Sequence, residues 1–303
     1  MNHIQNLLRS SKWGDDGALL PFLADRLAEG NLLIFLGAGV SRFYGMPDWE
    51  TLLREVKRHG AGHSVPKGGL SMSAWAEEIR NGLYPGDKDG FNAAITSALY
   101  SMDGSAKFDI LKVADNKSLR SIGALCHGSR RGYAKKVITL NYDCLLEAYF
   151  RFHGVASQTI HSPTFLERGA DVTIYHPHGY IPHPSFDDDR SDGIVLTRED
   201  YESAVDSRWE ETILSLLSTH FVLFIGLSGE DDRISRLCGK ARKSNPFVLK
   251  HELPFYGVRI CSKDGPLASQ WGSRGVYCKE VAQLTRSIPN FLFSICREAA
   301  SRS

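Results

Sequence analysis

The run Leu32-Leu33-Ile34-Phe35-Leu36, closed by Gly37-Ala38-Gly39-Val40-Ser41, narrows the folds open to this chain more than any other feature. Five consecutive apolar residues without polar alternation describe a strand covered on both faces, as found inside a parallel sheet flanked by helices. Glycines directly behind such a strand let the backbone turn tightly and approach a ligand, and exposed amides can hold an anion. The stretch reads as a phosphate-cradling strand-to-helix turn. No third glycine follows at the spacing of the dinucleotide fingerprint Gly-x-Gly-x-x-Gly, so the turn alone does not define a nucleotide fold.

The remaining strands give it a context. Phe221-Val222-Leu223-Phe224-Ile225 is a second run buried on both faces, followed by Gly226-Leu227-Ser228-Gly229-Glu230-Asp231. Lys136 to Leu140 leads into Asn141-Tyr142-Asp143, and Val172 to Tyr175 into His176-Pro177-His178-Gly179. Further strands are expected at 194–196, 254–261 and 275–278. Helical periodicity marks 19–29, stopped by Gly30, then 49–53 behind a capping Asp48, 73–83, 91–100, 118–126 and 144–152. A single long helix is expected over 198–218, and a closing one from Ser287 with Pro289 in its first turn. The expected architecture is α/β, a doubly wound Rossmann-like parallel sheet forming one domain over residues 1–303. A helical subdomain of about 50–128 and a C-terminal extension of about 245–303 complete it.

Composition excludes several function classes. A formal net charge of +1 gives no bulk attraction for nucleic acid or acidic membranes. The basic run from Arg130 to Lys136 is short and reads as a solvated loop. Six cysteines never occur as Cys-x-x-Cys and sit among apolar residues, so they read as buried thiols of a reducing compartment. With no signal-peptide pattern and no apolar run near the roughly 20 residues of a membrane span, a cytoplasmic location is expected. Gly226-Leu227-Ser228-Gly229-Glu230 fails the Gly-x-Ser-x-Gly elbow at Glu230, which argues against a serine hydrolase. Asp188 to Glu199 nearly spells a calcium loop, but Arg190 puts a cation at a ligand position. The histidines lack metal-ligand spacing, and no metal is expected.

Four motifs fall just behind strand carboxyl ends, where doubly wound sheets bind ligands: the glycine turn, Asn141-Tyr142-Asp143, His178-Gly179 and Gly226-Leu227-Ser228. Together they resemble the sirtuin superfamily over roughly residues 31–240. Gly37-Ala38-Gly39-Val40-Ser41, continuing to Gly45-Met46-Pro47-Asp48-Trp49, is similar to the sirtuin glycine segment and its Gly-x-Pro-Asp-Phe element. Thr139-Leu140-Asn141-Tyr142-Asp143 resembles Thr-x-Asn-x-Asp, His178-Gly179 the catalytic His-Gly, and Gly226-Leu227-Ser228 the late Gly-x-Ser. Deacylating sirtuins carry two Cys-x-x-Cys pairs for zinc, whereas here no cysteine stands between His178 and Cys238. Glu50 stands where they have arginine. Asn141-Tyr142-Asp143 with Leu145-Leu146-Glu147, Val195-Leu196-Thr197 with Asp200-Tyr201, and Gly226-x-Ser228-x-x-Asp231 resemble instead the zinc-free bacterial NAD hydrolases of anti-phage defence.

This resemblance implies an NAD+ glycohydrolase that releases nicotinamide and ADP-ribose, with NAD+ as substrate. It implies that Gly37, Ala38, Gly39 and Ser41 hold the pyrophosphate, and that Asn141 orients the attacking water or the ribose. Asp143 would support the nicotinamide end and His178 act as base, with His176 as the alternative should the register shift by two. Gly226, Ser228 and Asp231 would hold the adenosine side. A zinc-independent NAD-dependent deacylase and a non-catalytic NAD or ADP-ribose sensor stand as alternatives. Because about 60 residues follow Lys240, too few for a fused sensor module, control in trans is expected. Homo-oligomerisation and a regulatory partner are implied, a HerA-like ATPase first and a short Argonaute-type sensor second, without direct contact to nucleic acid.

Overall fold

The computed structural model describes residues 12–42, 44–60, 68–100, 109–163, 168–186, 194–203, 208–227, 231–262 and 268–302. Seven strands form one sheet: β1 Leu32–Leu36, β2 Lys136–Thr139, β3 Ser157–Ile160, β4 Val172–Tyr175, β5 Phe221–Ile225, β6 Gly257–Ser262 and β7 Val276–Val281. Their order is β3-β4-β2-β1-β5-β6-β7, and every pairing is parallel. All residues of β1 and β5 are buried, as expected for uninterrupted apolar runs between two helical layers. They pair in register from Leu32 against Phe221 to Leu36 against Ile225.

The chain leaves β1 towards β2 on one side, and β5 later adds on the other. Strand order therefore reverses at β1 and β5, and a crevice opens beyond their carboxyl ends. The opposite, amino-terminal end of the strands is closed by apolar packing: Phe221, the first residue of β5, stacks on Trp13 at 6.3 Å and meets Phe22 edge-on at 4.8 Å. Apolar packing and crevice thus lie at opposite ends of the central strands.

Between β1 and β2 the described residues form helices, including Trp49–His59, Met72–Leu83, Lys88–Tyr100 and Lys117–Cys126. Asp48 caps the first, accepting the Thr51 amide at 2.9 Å. β6 and β7 continue the main sheet beside β5, and the closing helix Leu284–Ala300 packs on Asp16–Ala28 and Lys117–Cys126. β6 and β7, both inside the expected C-terminal extension, are thus part of the main sheet.

Three expectations change. Ile194-Val195-Leu196 is not a strand; the Val195 amide bonds the His178 carbonyl at 2.9 Å and its own carbonyl accepts the Tyr142 hydroxyl at 2.7 Å. Its apolar side chains pack into the core while its backbone bonds go to loops instead of a ladder. Two helices, Arg198–Ser203 and Arg208–Thr219, stand where one was expected, and 204–207 lie outside the described residues. The edge strand β3 has no expected counterpart, since three of its four residues are only half-buried and polar.

Candidate active site

Two glycine turns meet at the crevice. The Gly37 amide donates to the Ile225 carbonyl at 3.0 Å and the Gly39 amide to the Gly226 carbonyl at 3.0 Å. A side-chain carbon on Gly37 would lie 2.7 Å from the Gly226 oxygen, and one on Gly39 would lie 2.8 Å from its Cα. Gly226 itself has φ +74°, and a Cβ there would lie 2.7 Å from the Val40 nitrogen. Both amides are spent on carbonyls, so these glycines admit close approach of backbone and ligand rather than donate to an anion. The expectation that these two amides hold an anion is thus corrected: the glycines are required because turn packs on turn.

Behind the first turn, the buried Ser41 hydroxyl donates to Asp143 Oδ2 at 2.6 Å and accepts from Asn141 Nδ2 at 2.7 Å. Because the hydroxyl proton is committed to the carboxylate, the amide must turn its nitrogen to Ser41, which fixes its orientation. Burial pushes the Asp143 carboxyl above its ordinary value, against the opposing bonds from Ser41 and the Leu145 amide. Asn141 is not the cap of the following helix Leu145–Phe152; Asp143 Oδ1 meets the Leu145 amide at 3.2 Å. Asn141 Oδ1 is buried and has no hydrogen-bond partner among the described residues, leaving an acceptor for a hydroxyl or water.

The two candidate histidines separate cleanly. His176 is 0% exposed, with Nδ1 at 3.0 Å from the Asn141 carbonyl and Nε2 at 2.7 Å from Glu147 Oε1. Two residues on, His178 lines the crevice, and Gly179 at φ +100° closes the tight turn behind it. His178 Nε2 lies 3.3 Å from Asp231 Oδ2, an ion-pair contact without an aligned hydrogen bond, while Asp231 Oδ1 caps Asp232–Arg242 through the Ile234 amide. Burial alone would raise the Asp231 carboxyl, but His178 and the Ile234 and Arg233 amides outweigh it and hold the group below its ordinary value. Tyr201 meets the His178 ring edge-on at 5.4 Å and packs on Trp49 at 6.3 Å. Its helix is tied to Met72–Leu83 by Arg80 with Glu199 and Asp200, and by Arg198 with Glu77.

The crevice encloses about 1080 Å³, at the upper end of small-molecule sites. Gly37, Ala38, Gly39, Ser41, Asn141, Asp143, His178, Gly226 and Asp231 all line it. Ser228 lies outside the described residues. Sequence reasoning assigned no role to Arg259, whose Nε donates to the Leu227 carbonyl at 2.8 Å while the guanidinium covers the Trp271 ring at 5.3 Å. A single cation inside the apolar stretch Val258-Arg259-Ile260 was the signal available. Ser262, Gln283 and Thr285 also line the crevice. Among the described residues no group of three or more His, Cys, Asp or Glu side chains is placed to hold a metal ion, and no helix is long and apolar enough to cross a membrane.

A family model and a curated relative bear out the sirtuin-like resemblance. Residues 135–271 match the model of the SIR2-like domain, a span that takes in Asn141, Asp143, His178, Gly226 and Asp231 but not the first glycine turn. The chain is similar to NAD(+) hydrolase ThsA of Enterococcus faecium, 25% identical over 251 residues, which is 80% of this chain and 46% of that protein. It thus spans about half the length of the curated relative it matches. A solved structure on the mechanism and regulation of Sir2 enzymes aligns with a TM-score of 0.46 and 14% identity, over 93% of this chain and 97% of that one.

Proposed function

We propose that this sirtuin-like chain hydrolyses NAD+ to nicotinamide and ADP-ribose in the crevice beyond β1 and β5. The observation that carries the reading is the convergence of Asn141 and His178, from the ends of two different strands, on one 1080 Å³ cleft at the point where strand order reverses. Similarity to an NAD(+) hydrolase over 80% of the chain supports the same chemistry.

Cleavage of the nicotinamide glycosidic bond passes through an oxocarbenium-like state in which the departing base is neutral and the ribose carries positive charge. Little bond-making assists the departure, so the protein contributes by holding the ribose, placing a water and accepting its proton. Asn141, clamped through Ser41 to Asp143, presents a fixed amide whose Oδ1 can accept from the ribose or the water. His178 is the base, acting on that water or on a ribose hydroxyl. The carboxylate of Asp231, held ionised beside Nε2, favours the ring as it takes up positive charge. Asp231 would therefore serve His178 rather than the adenosine side that the resemblance suggested. Gly37, Ala38, Gly39 and Gly226 give the pyrophosphate room to lie on backbone, and Arg259 is a cation lining the same crevice. Ser228 would meet the adenosine ribose from the second turn.

By the same resemblance we assign the chain to NAD depletion in bacterial anti-phage defence, in the cytoplasm, as a homo-oligomer. Its control would come from a partner in trans, a HerA-like ATPase before a short Argonaute-type sensor.

The test is product analysis with purified protein, alone and with its neighbouring gene products. Nicotinamide and ADP-ribose should accumulate one for one as NAD+ disappears. Acyl transfer from an acetylated peptide would replace the reading with a deacylase, and tight NAD+ binding without turnover under every condition would replace it with a sensor.

A further inference from the structure

Glu147 and His176 sit outside the crevice and take no part in the chemistry above, yet they are joined to it through Asn141. His176 follows β4, where its own amide donates to the Ile160 carbonyl at 2.8 Å, and its ring is wholly buried against Tyr180 at 4.9 Å. Glu147 stands in the first turn of Leu145–Phe152, and Thr159 of β3 reaches its Oε1 at 3.4 Å. The pair thus ties the first turn of that helix and the end of β4 to the end of β2.

The hydrogen-bond chemistry is restrictive. The Asn141 carbonyl only accepts, so Nδ1 of His176 must carry a proton. With Nδ1 protonated, a 2.7 Å contact between Nε2 and a carboxylate oxygen requires a second proton between them. The ring and the carboxyl therefore share one proton, and the ring cannot turn over without losing a donor to Asn141. From there the line runs from the Asn141 backbone through its side chain to Ser41 and Asp143. Both the carbonyl and the amide of Asn141 are consequently clamped, one from each side.

We infer that Glu147 and His176 are positioning residues for Asn141, a buried acid–histidine clamp that presets the asparagine the hydrolysis reading places against the ribose and water. The inference rests on that reading for its catalytic consequence, while the clamp itself can be observed without turnover. Without Glu147, Nε2 loses its partner and the ring is released. A glutamine at the same place can donate its amide to Nε2 and keep the neutral ring's Nδ1–H on the Asn141 carbonyl.

The experiment compares wild type, Glu147→Ala and Glu147→Gln as full chains in two readouts. In spectra of asparagine-labelled protein, the Asn141 side-chain amide pair, identified by its absence in Asn141→Asp, should shift and broaden in Glu147→Ala and return in Glu147→Gln. The Asn245 pair, held by the Leu217 and His220 carbonyls, should stay in place in all three. In NAD+ hydrolysis, Glu147→Ala should lower kcat by about a hundredfold with KM within about threefold, as expected for a misplaced group that acts in the transition state. Glu147→Gln should recover most of that loss. Unmoved Asn141 signals in Glu147→Ala, loss of Asn141 and Asn245 signals together, or a glutamine variant no better than alanine would each overturn the inference. A wild type that does not turn over NAD+ under any condition refutes the hydrolysis reading alone, because the amide signals still decide whether the clamp exists.

Discussion

Replacing Gly226 by alanine tests how the two turns are built. At φ +74° an L side chain costs about 1–2 kcal/mol in backbone strain. The added carbon would also stand 2.7 Å from the Val40 nitrogen, 3.0 Å from the Gly37 oxygen and 3.1 Å from the Gly39 carbonyl carbon. Ordinary contacts lie near about 3.5–4.0 Å, and none of these three atoms can rotate away because all are backbone. Such overpacking adds about 1–3 kcal/mol, for a total of roughly 2–5 kcal/mol, a large share of the 5–15 kcal/mol that holds a typical domain. Gly154 provides the control: its φ is +67°, and nothing lies within 4 Å of a Cβ there. Gly154→Ala should cost only the strain, about 1–2 kcal/mol. Urea unfolding followed by circular dichroism would read both, the stability difference being interpreted at equal slope. If Gly226→Ala unfolds within about 0.5 kcal/mol of Gly154→Ala, the turns do not interlock and the reasoning is wrong.

Two further outcomes follow from the site. Ser41→Ala removes both the acceptor of the Asn141 amide and a donor to the buried Asp143, so unfolding should become about 2–4 kcal/mol easier; a change below 1 kcal/mol in urea denaturation would contradict the clamp. Asp231→Asn keeps a capping oxygen for Ile234 but removes the charge beside His178. The native Asp231 carboxyl lies below its ordinary value, so its ionised form stabilises the fold above the usual carboxylate range, and that contribution fades as pH falls through the native value. The deficit of the variant should shrink towards zero once the pH falls below the usual carboxylate range; a deficit as large there as at neutral pH would refute the pairing.

What could be read in the chain followed from local chemistry. β1 and β5 announce themselves because burial on both faces removes polar alternation, and the glycines behind them mark the strand ends where ligands bind. His178 was separable from His176 only by the glycine that follows it, and that glycine does close the turn at φ +100°. Contacts across long sequence separations were not legible. Nothing local to Gly37 says that its hydrogen atom faces a turn 189 positions later, or that its amide is spent on Ile225. Asp231 was assigned to the adenosine side, and nothing local showed that one of its oxygens would cap a helix while the other met His178. Val195 looked like a strand residue because it is apolar and buried, yet its backbone bonds go to His178 and Tyr142. β3 escaped notice for the converse reason, an edge strand with a half-exposed polar sequence having little pattern to show.

The measurement that bears most directly on the account is a comparison of wild type and His178→Ala, each shown folded by circular dichroism, for NAD+ hydrolysis and NAD+ binding in parallel. Removing a general base from an otherwise intact site should slow hydrolysis by about 10²–10⁴-fold while the variant still binds NAD+, since the backbone turns and Asn141 remain. Hydrolysis by His178→Ala at the wild-type rate would contradict the account, because the reaction would then belong to another site or another base.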